Sequence, residues 1–507
     1  MGEGIERRRK ANGALAGPVS LETPGGMVHL HWDERAATTP YGQMPFFIEF
    51  LEATGLWEKW VEECPLAYRS PNGSSKRDVL GTWLLSILSG HWRYAHIAGL
   101  RTDGVNPQLL GMQGVVSEDT VRRALSSLDE EAGTQWMRAS IEHPVLPLLE
   151  APWILDVDVT VKPLYGKQEG AVLGYNPHKP GRPSHAYHSY MMGGMRLVIG
   201  MAVEAGNQTH STYGMPGLAR LLESLPEGKR PFAVRGDCSY GADSVMGELE
   251  ERGQPYLFKL RLTTNVKRYV EKLAMEGGWK DAGQKWEGQD GRLRLQGWRR
   301  ERRVVLLRRR LETKEAALEE SRQLALAFMA EPDMAGERYE YAVLVTGLPL
   351  DVLTLAQLYR DRGDAENPFD ELKNQWGWGG YTTQDLKRCR FAAMGVALVY
   401  NWWSIFVRLV HPEARLEAIT SRPLLLSAVA RQTSHAGQKL IRVTPMHAEA
   451  PRAQGMLMRA SQLLSSWKHC AEQLAVPSVL QRLCDYLIRL IAGSPASRRL
   501  LPLPGYI

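Results

Sequence analysis

Ten residues, WILDVDVTVK from Trp153 to Lys162, constrain this chain more than any other stretch. Apolar and β-branched residues crowd it, which predicts a strand inside a sheet. Yet it carries Asp156 and Asp158. Two positions apart on a strand, their side chains share one face. Like charges set into an apolar sheet are costly unless paired, protonated or held against a cation. The fold must bring compensation to both.

Around this strand the texture changes. Residues 1–44, Gly-rich and basic at their start, are expected to form a flexible arm. From 45 to 150, apolar residues recur at three-to-four spacing and predict helices. The last of these, SEDTVRRALSSL, opens with Ser117 as N-cap and with Glu118 and Asp119 in its first turn. Carrying Arg122 and Arg123, it reads either as a recognition helix or as an ordinary amphipathic helix of a small bundle. From 151 to 278 strands dominate: SYMMGGMRLVIGMAVEAG as a pair joined at Gly193-Gly194, RPFAVRGDCSYGADSVMGELEERG as strand, loop and helix, then PYLFKLRL. Strands mixed with helices predict an α/β core. Residues 279–340, with Trp279, Trp286 and Trp298, break the rhythm as an insertion; 341–410 resume the core and 411–507 read as a helical tail. At 507 residues the chain exceeds one typical core, which favours two or three domains, one interrupted by another.

Several function classes are disfavoured. Without an apolar run of 18 residues or an apolar signal core at the start, no membrane span is expected, and the expected location is the cytoplasm, at the nucleoid. Cys64, Cys238, Cys389, Cys470 and Cys484 are odd in number and lack C-x-x-C spacing, against a disulfide framework or structural zinc. His185-x-x-His188 has no third soft ligand nearby. Neither a phosphate-binding G-x-x-x-x-G-K-[ST] loop nor a G-x-S-x-G motif occurs. The net charge of +6 is mild, but its distribution is not. Residues 292–310 hold nine Arg, including Arg299, Arg300, Arg302 and Arg303, against the single acid Glu301. Such a run predicts a surface that meets a polyanion; a solubilising or interdomain surface is the alternative.

Two further acids join the pair. Asp237 in AVRGDCSYG ends an apolar strand, where a side chain reaches an open crevice. Glu366 arrives from a helix expected to pack on the sheet. Taken singly, each acid reads as a salt bridge, a cap or a solvated residue. Together, Asp158, Asp237 and Glu366 make a hard-oxygen set suited to magnesium, or manganese in its place. Two such ions about 3.5–4 Å apart activate a water on one side of a phosphodiester and stabilise the leaving oxygen on the other.

In YRDRGDAENPFDELK, Tyr359, Arg362, Glu366 and Lys373 stand where a core stripe would carry Leu or Val. This Y-x-x-R-x-x-x-E-x-x-x-x-x-x-K spacing resembles the signature of a large subclass of bacterial DDE insertion-sequence transposases. DVT at Asp158–Thr160 resembles the family's first-aspartate strand, RGDCSYG its second, and GKQEGAVLGYNPHKPGRPSHAYHSY (166–190) the hallmark of the insertion-sequence family numbered thirteen-eighty. The likeness spans roughly 45–450. It implies a ribonuclease-H-like catalytic core interrupted by a β-rich insertion, with helical N-terminal and C-terminal regions. The separations fit, 79 positions from Asp158 to Asp237 and 129 from Asp237 to Glu366.

The resemblance further implies a function. Asp158, Asp237 and Glu366 would hold two magnesium ions, while Tyr359, Arg362 and Lys373, with Lys179 and Arg182 of the hallmark segment, would contact phosphates of double-stranded DNA. Trp298, or failing it Trp286, would stack a flipped base. The protein would bind terminal inverted repeats through its N-terminal helices and the Arg-rich insertion, cut, and transfer strands as a homodimer. Rival readings are a catalytically inactive DNA-binding protein of transposon origin and a structure-selective nuclease. Two local questions stay open. Pro368 either kinks the helix of Glu366 or starts a new one with Asn367 as N-cap. Asp158 is preferred to Asp156 as ligand, with Asp156 as its supporting neighbour.

Overall fold

The computed structural model describes residues 17–33, 36–67, 73–150, 152–176, 179–208, 213–311, 328–329, 339–436, 438–444, 448–474 and 478–492; of these, 328–329, 364–366, 470–474 and 492 are described in backbone only. Residues 1–16 of the expected arm, Pro177 and His178 of the hallmark segment, and residues 493–507 of the tail lie outside them.

Among the described residues one mixed sheet of ten strands organises the fold. In chain order its strands are β1 (Ile154–Pro163), β2 (Ser184–Met192), β3 (Leu197–Ala205), β4 (Ala233–Gly236), β5 (Tyr256–Lys259), β6 (Lys280–Gly283), β7 (Trp286–Leu293), β8 (Arg302–Arg310), β9 (Phe328–Met329) and β10 (Tyr339–Thr346). They lie side by side as β3-β2-β1-β4-β5-β10-β8-β7-β6, with β9 paired to part of β10. The first three are antiparallel neighbours, whereas β4 runs parallel to β1 and β5 parallel to β4. Parallel pairs need long crossovers, supplied by helices Met215–Ser224 and Asp243–Glu251. The stretch read as an insertion builds no separate sheet: β10 pairs antiparallel with β5, and β8, β7 and β6 continue outward from it.

Strand periodicity sorts this sheet into two faces. Leu155, Val157, Val234, Phe258, Val304, Leu306, Val343 and Val345 join the main hydrophobic core. Their alternates Ile154, Ala233, Leu257, Val305, Leu307, Ala342 and Leu344 pack instead against Val352, Leu355, Ala356 and Leu358 of helix Val352–Arg360. Asp156, Asp158, Arg235, Asp237 and Lys259 carry the parity of this second face.

The main core is centred on helix Leu386–Val410, which is long and apolar enough to cross a membrane but is sheathed by protein. It packs on β3 and on helices Lys76–Leu88, Glu118–Ser127, Glu130–Glu142 and Ala450–Leu474. Phe47 lies 5.3 Å from both Trp403 and Phe406, and Trp60 stacks on Trp136 at 5.5 Å and meets Trp402 edge-on at 5.6 Å. The N-terminal helices therefore share a core with the central helix. Side-chain caps fix several starts: Ser75, Ser117, Asp129, Asp351 and Asp385 each accept a bond from the backbone N–H three residues on, contributing about 1 kcal/mol apiece.

Two expectations change. Within the arm, Val19–Thr23 and Gly26–Leu30 pair as a hairpin about a turn at Pro24-Gly25, and Gly26, just after the turn, has a φ of 109° that favours glycine. In the tail, Val429–His435 and Gln438–Thr444 form strands, joined at their edge by Ala37–Thr39; the branched and apolar residues of VARQTSH and QKLIRVT suit strands better than helix. Cys64, Cys238, Cys389 and Cys484 are free thiols.

Candidate active site

The second sheet face is apolar beneath helix Val352–Arg360 and turns polar beyond it. There β1 and β4 pair in parallel register, Val157 opposite Gly236. The next residue on each is an acid, so Asp158 and Asp237 stand on neighbouring strands with backbones roughly 5 Å apart. Both line a cleft of about 600 Å³ whose walls include Tyr359, Arg362, Gly363, Phe369, Asp370 and Lys373. The far wall carries Trp286, Leu307, Glu340 and Ala342 from the outer strands, and Lys259 stands at the end of β5.

The two acids are held differently. Asp237 closes a tight turn: its carboxylate accepts the Ser239 N–H at 2.9 Å and the Ser239 hydroxyl at 3.3 Å. Asp158 is mostly buried, with Oδ1 3.6 Å from Arg362 Nη2. Burial pushes the Asp158 carboxyl up; Arg362 pulls it down and the Asp237 charge pushes it up again, leaving it above the usual carboxylate range. Lys373, exposed at the cleft, adds positive potential on Asp158.

Asp156 and Asp158 share a face, but Asp156 is elsewhere committed. It is 1% exposed and receives the guanidinium of Arg235, directly opposite on β4, through Nε at 2.6 Å and Nη2 at 2.8 Å. A third Arg235 donor, Nη1, bonds the carbonyl of Leu358. The charge of Asp156 is thus satisfied inside the sheet, and Asp158 alone of the pair opens to the cleft.

The polar stripe is carried by two helices. Helix Val352–Arg360 ends, Asp361 and Arg362 make a turn, and helix Gly363–Asn374 begins. The Arg362 N–H bonds the Tyr359 carbonyl, three residues back, in place of the Leu358 carbonyl, four back. The break lies here and not at Pro368: the second helix runs through the proline, so no new helix starts at Asn367. A glycine at the junction weakens helix continuity, and Pro368 forfeits only one bond within the second helix. Tyr359, Arg362 and Lys373 still reach one cleft because the turn re-aims the second helix. Glu366 is on that helix; its side chain lies outside the described residues. Among the described residues no group of three or more His, Cys, Asp or Glu is placed to hold a metal ion.

A family profile described as "Transposase DDE domain group 1" matches residues 52–466, which include both aspartates and the whole polar stripe. The chain belongs to this DDE transposase family. Among curated proteins none is similar in sequence. The solved structure of a piggyBac transposase synaptic complex with hairpin DNA aligns over 94% of this chain and 90% of its own, at 12% identity and a TM-score of 0.36, a likeness too slight to carry weight.

In this DDE transposase chain the other expected residues lie apart from the cleft lining. Lys179 and Arg182 are exposed on the loop between β1 and β2, 5.0 and 4.8 Å from the ring centre of exposed Tyr165. Trp298 is 9% exposed in the main core, with the Arg302 guanidinium 5.1 Å over its ring, so it offers no open face to a base; Trp286 is the tryptophan on the cleft wall. Arg302 is buried and bonds Asp243 at 2.6 Å and Glu250 at 2.7 Å. Arg303 bonds Asp290 at 2.8 Å and the Leu348 carbonyl at 2.8 Å. Arg299 and Arg300 remain exposed, 3.6 Å from Glu251 and 3.3 Å from Glu250. His185 and His188 are buried and face the backbone carbonyls of Glu169 and Gln208, not one another. Arg122 is paired with Asp119 while Val121, Ala124 and Leu125 are buried, the pattern of an amphipathic bundle helix.

Three wall residues, Lys259, Glu340 and Arg360, were not singled out from sequence. The strand parity of Lys259 in YLFK and Glu340 in EYAVLV puts them on the acids' face and was the available signal; Arg360 had none.

Proposed function

We propose that this chain is a cut-and-paste transposase with a ribonuclease-H-like core, which cleaves double-stranded DNA at the terminal inverted repeats of an insertion sequence and joins the freed ends to target DNA. The carrying observation is Asp158 beside Asp237 at the polar end of one sheet face, in a cleft that Tyr359, Arg362 and Lys373 also line. Three antiparallel strands followed by two parallel ones, with the acids on the central pair, support the core assignment.

The donor set fits a divalent cation. Two hard carboxylates on adjacent strands, one raised toward protonation by burial and by its neighbour, are relieved by a positive ion. Asp158 and Asp237, joined by Glu366, would hold it. Two magnesium ions, with manganese able to substitute, would activate a water and offset charge on the leaving oxygen of the phosphodiester. The chain's own side chains orient the substrate. Lys373, exposed at the cleft, offers a point charge to a backbone phosphate, and Tyr359 lines the same cleft. Arg362 is turned inward, so its expected role on phosphate gives way to holding Asp158. Trp286 lines the cleft with the Arg309 guanidinium 5.4 Å from its ring centre, and is the tryptophan placed to meet an unstacked base. Both ends must meet before joining, so a homodimer is the working unit.

The test uses purified protein, magnesium and a DNA fragment ending in the element's inverted repeat. Wild type is expected to cut at the repeat boundary, and Glu366→Gln to bind the fragment without cutting it. Cutting by Glu366→Gln removes Glu366 from the mechanism; binding without cutting by wild type, with manganese as well, favours the inactive DNA-binding reading.

A further inference from the structure

The buried pair Arg235–Asp156 is not consumed by the mechanism above. Its guanidinium is 4% exposed and its carboxylate 1%. A buried ion pair is weak evidence for stability, since well-packed apolar residues often serve as well. Its presence here calls for another reason, and the third bond of Arg235 supplies one. Where the helix breaks at Asp361–Arg362, the Arg362 N–H turns to Tyr359 and leaves the Leu358 carbonyl. Arg235 Nη1 takes that carbonyl. A cation at a helix C-terminus is also favoured by the helix dipole.

We infer that Arg235 is a positioning residue: one guanidinium ties β1, which carries Asp158, to the end of the helix that carries Tyr359 and leads into Arg362. Arg235 is itself two residues before Asp237 and on the same face. A single rigid fork therefore joins the two strands that lead to the aspartates and the helix that carries Tyr359. Its planar donors engage Asp156 with two nitrogens and Leu358 with the third, which a lysine cannot reproduce. Local packing makes room for the fork: a Cβ at Gly193 would stand 2.9 Å from Asp156 Oδ2 and 3.5 Å from Arg235 Nη2. The inference rests on the proposed cleavage function for its catalytic consequence, and on geometry alone for the tie.

Two readouts test it. The variant Arg235→Lys keeps a cation for Asp156 and loses the fork. Amide hydrogen exchange in the 352–374 segment is expected to rise about tenfold with the rest of the sheet unchanged, as local loosening predicts. Magnesium-dependent cutting of the inverted-repeat fragment is expected to slow about a hundredfold at unchanged fragment affinity, the scale of a 1 Å misplacement. Should Arg235→Lys not fold, the double variant Arg235→Met with Asp156→Leu, an apolar replacement of the pair, carries the same measurements. Unchanged exchange in 352–374, or cutting at the wild-type rate, overturns the proposal, as does unfolding of both variants, which would make Arg235 a fold residue only. If wild type does not cut at all, the functional reading fails while the exchange result still decides the tie.

Discussion

Two regions of this protein invite a polyanion, and they differ in opposite directions between sequence and structure. The run from Arg292 to Arg310 is the densest positive stretch of the chain. In the fold, acids from elsewhere meet it: Asp243 and Glu250 on Arg302, Asp290 on Arg303, Glu287 on Arg308 and Glu340 on Arg309. Around the cleft, by contrast, Arg362 and Lys373 are eleven positions apart among acids and look unremarkable by charge count. There the fold gathers them with Asp158 and Asp237. Linear charge density says little about surface potential when cross-strand partners lie within reach of every long side chain. What marks a functional surface is charge left in a concave place, not charge crowded along the chain.

The sharpest way to press this comparison is to neutralise one charge on each side. Asp237→Asn should lower cleavage of the inverted-repeat fragment by about a thousandfold or more, the several kcal/mol that a lost metal ligand represents, with fragment affinity retained in a binding titration. Arg302→Met should leave cleavage by the folded protein intact and lower stability by about 2–3 kcal/mol in urea titration, because Asp243 and Glu250 lose a largely buried partner. A cleavage defect at full stability would reverse the assignment of the two regions. Lys373→Ala should reduce the slope of log affinity against log salt by about 0.9, the loss of one phosphate contact. Smallest of all, Arg299→Ala and Arg300→Ala should each change stability by less than about 0.5 kcal/mol. A salt slope reduced by either would restore the run as a DNA surface.

What the residues disclosed, and what they withheld, follows from the range of the forces involved. Period-two patterning put Asp156 and Asp158 on one face, and strand-end placement put Asp237 near a crevice, because both are local geometry. The partner of Asp156 was not local: Arg235 is 79 positions away and meets it only through parallel pairing of β1 and β4. Pro368 drew attention as the helix breaker, yet the break falls six to seven residues earlier, at Asp361–Arg362, where Arg235 bonds the freed Leu358 carbonyl. Trp298 beside arginines looked like a stacking residue; cross-sheet packing buries it, and Trp286 faces the cleft instead. The composition of the N-terminal arm hid the hairpin that pairs Val19–Thr23 with Gly26–Leu30.

The central claim is that Asp158, Asp237 and Glu366 act on one set of ions in this cleft. Manganese binding followed by electron paramagnetic resonance, in the presence of the inverted-repeat fragment, tests it most directly. Wild type should bind two ions per chain, and Asp158→Asn, Asp237→Asn and Glu366→Gln should each lose at least one. Equal binding by wild type and all three variants would contradict the account.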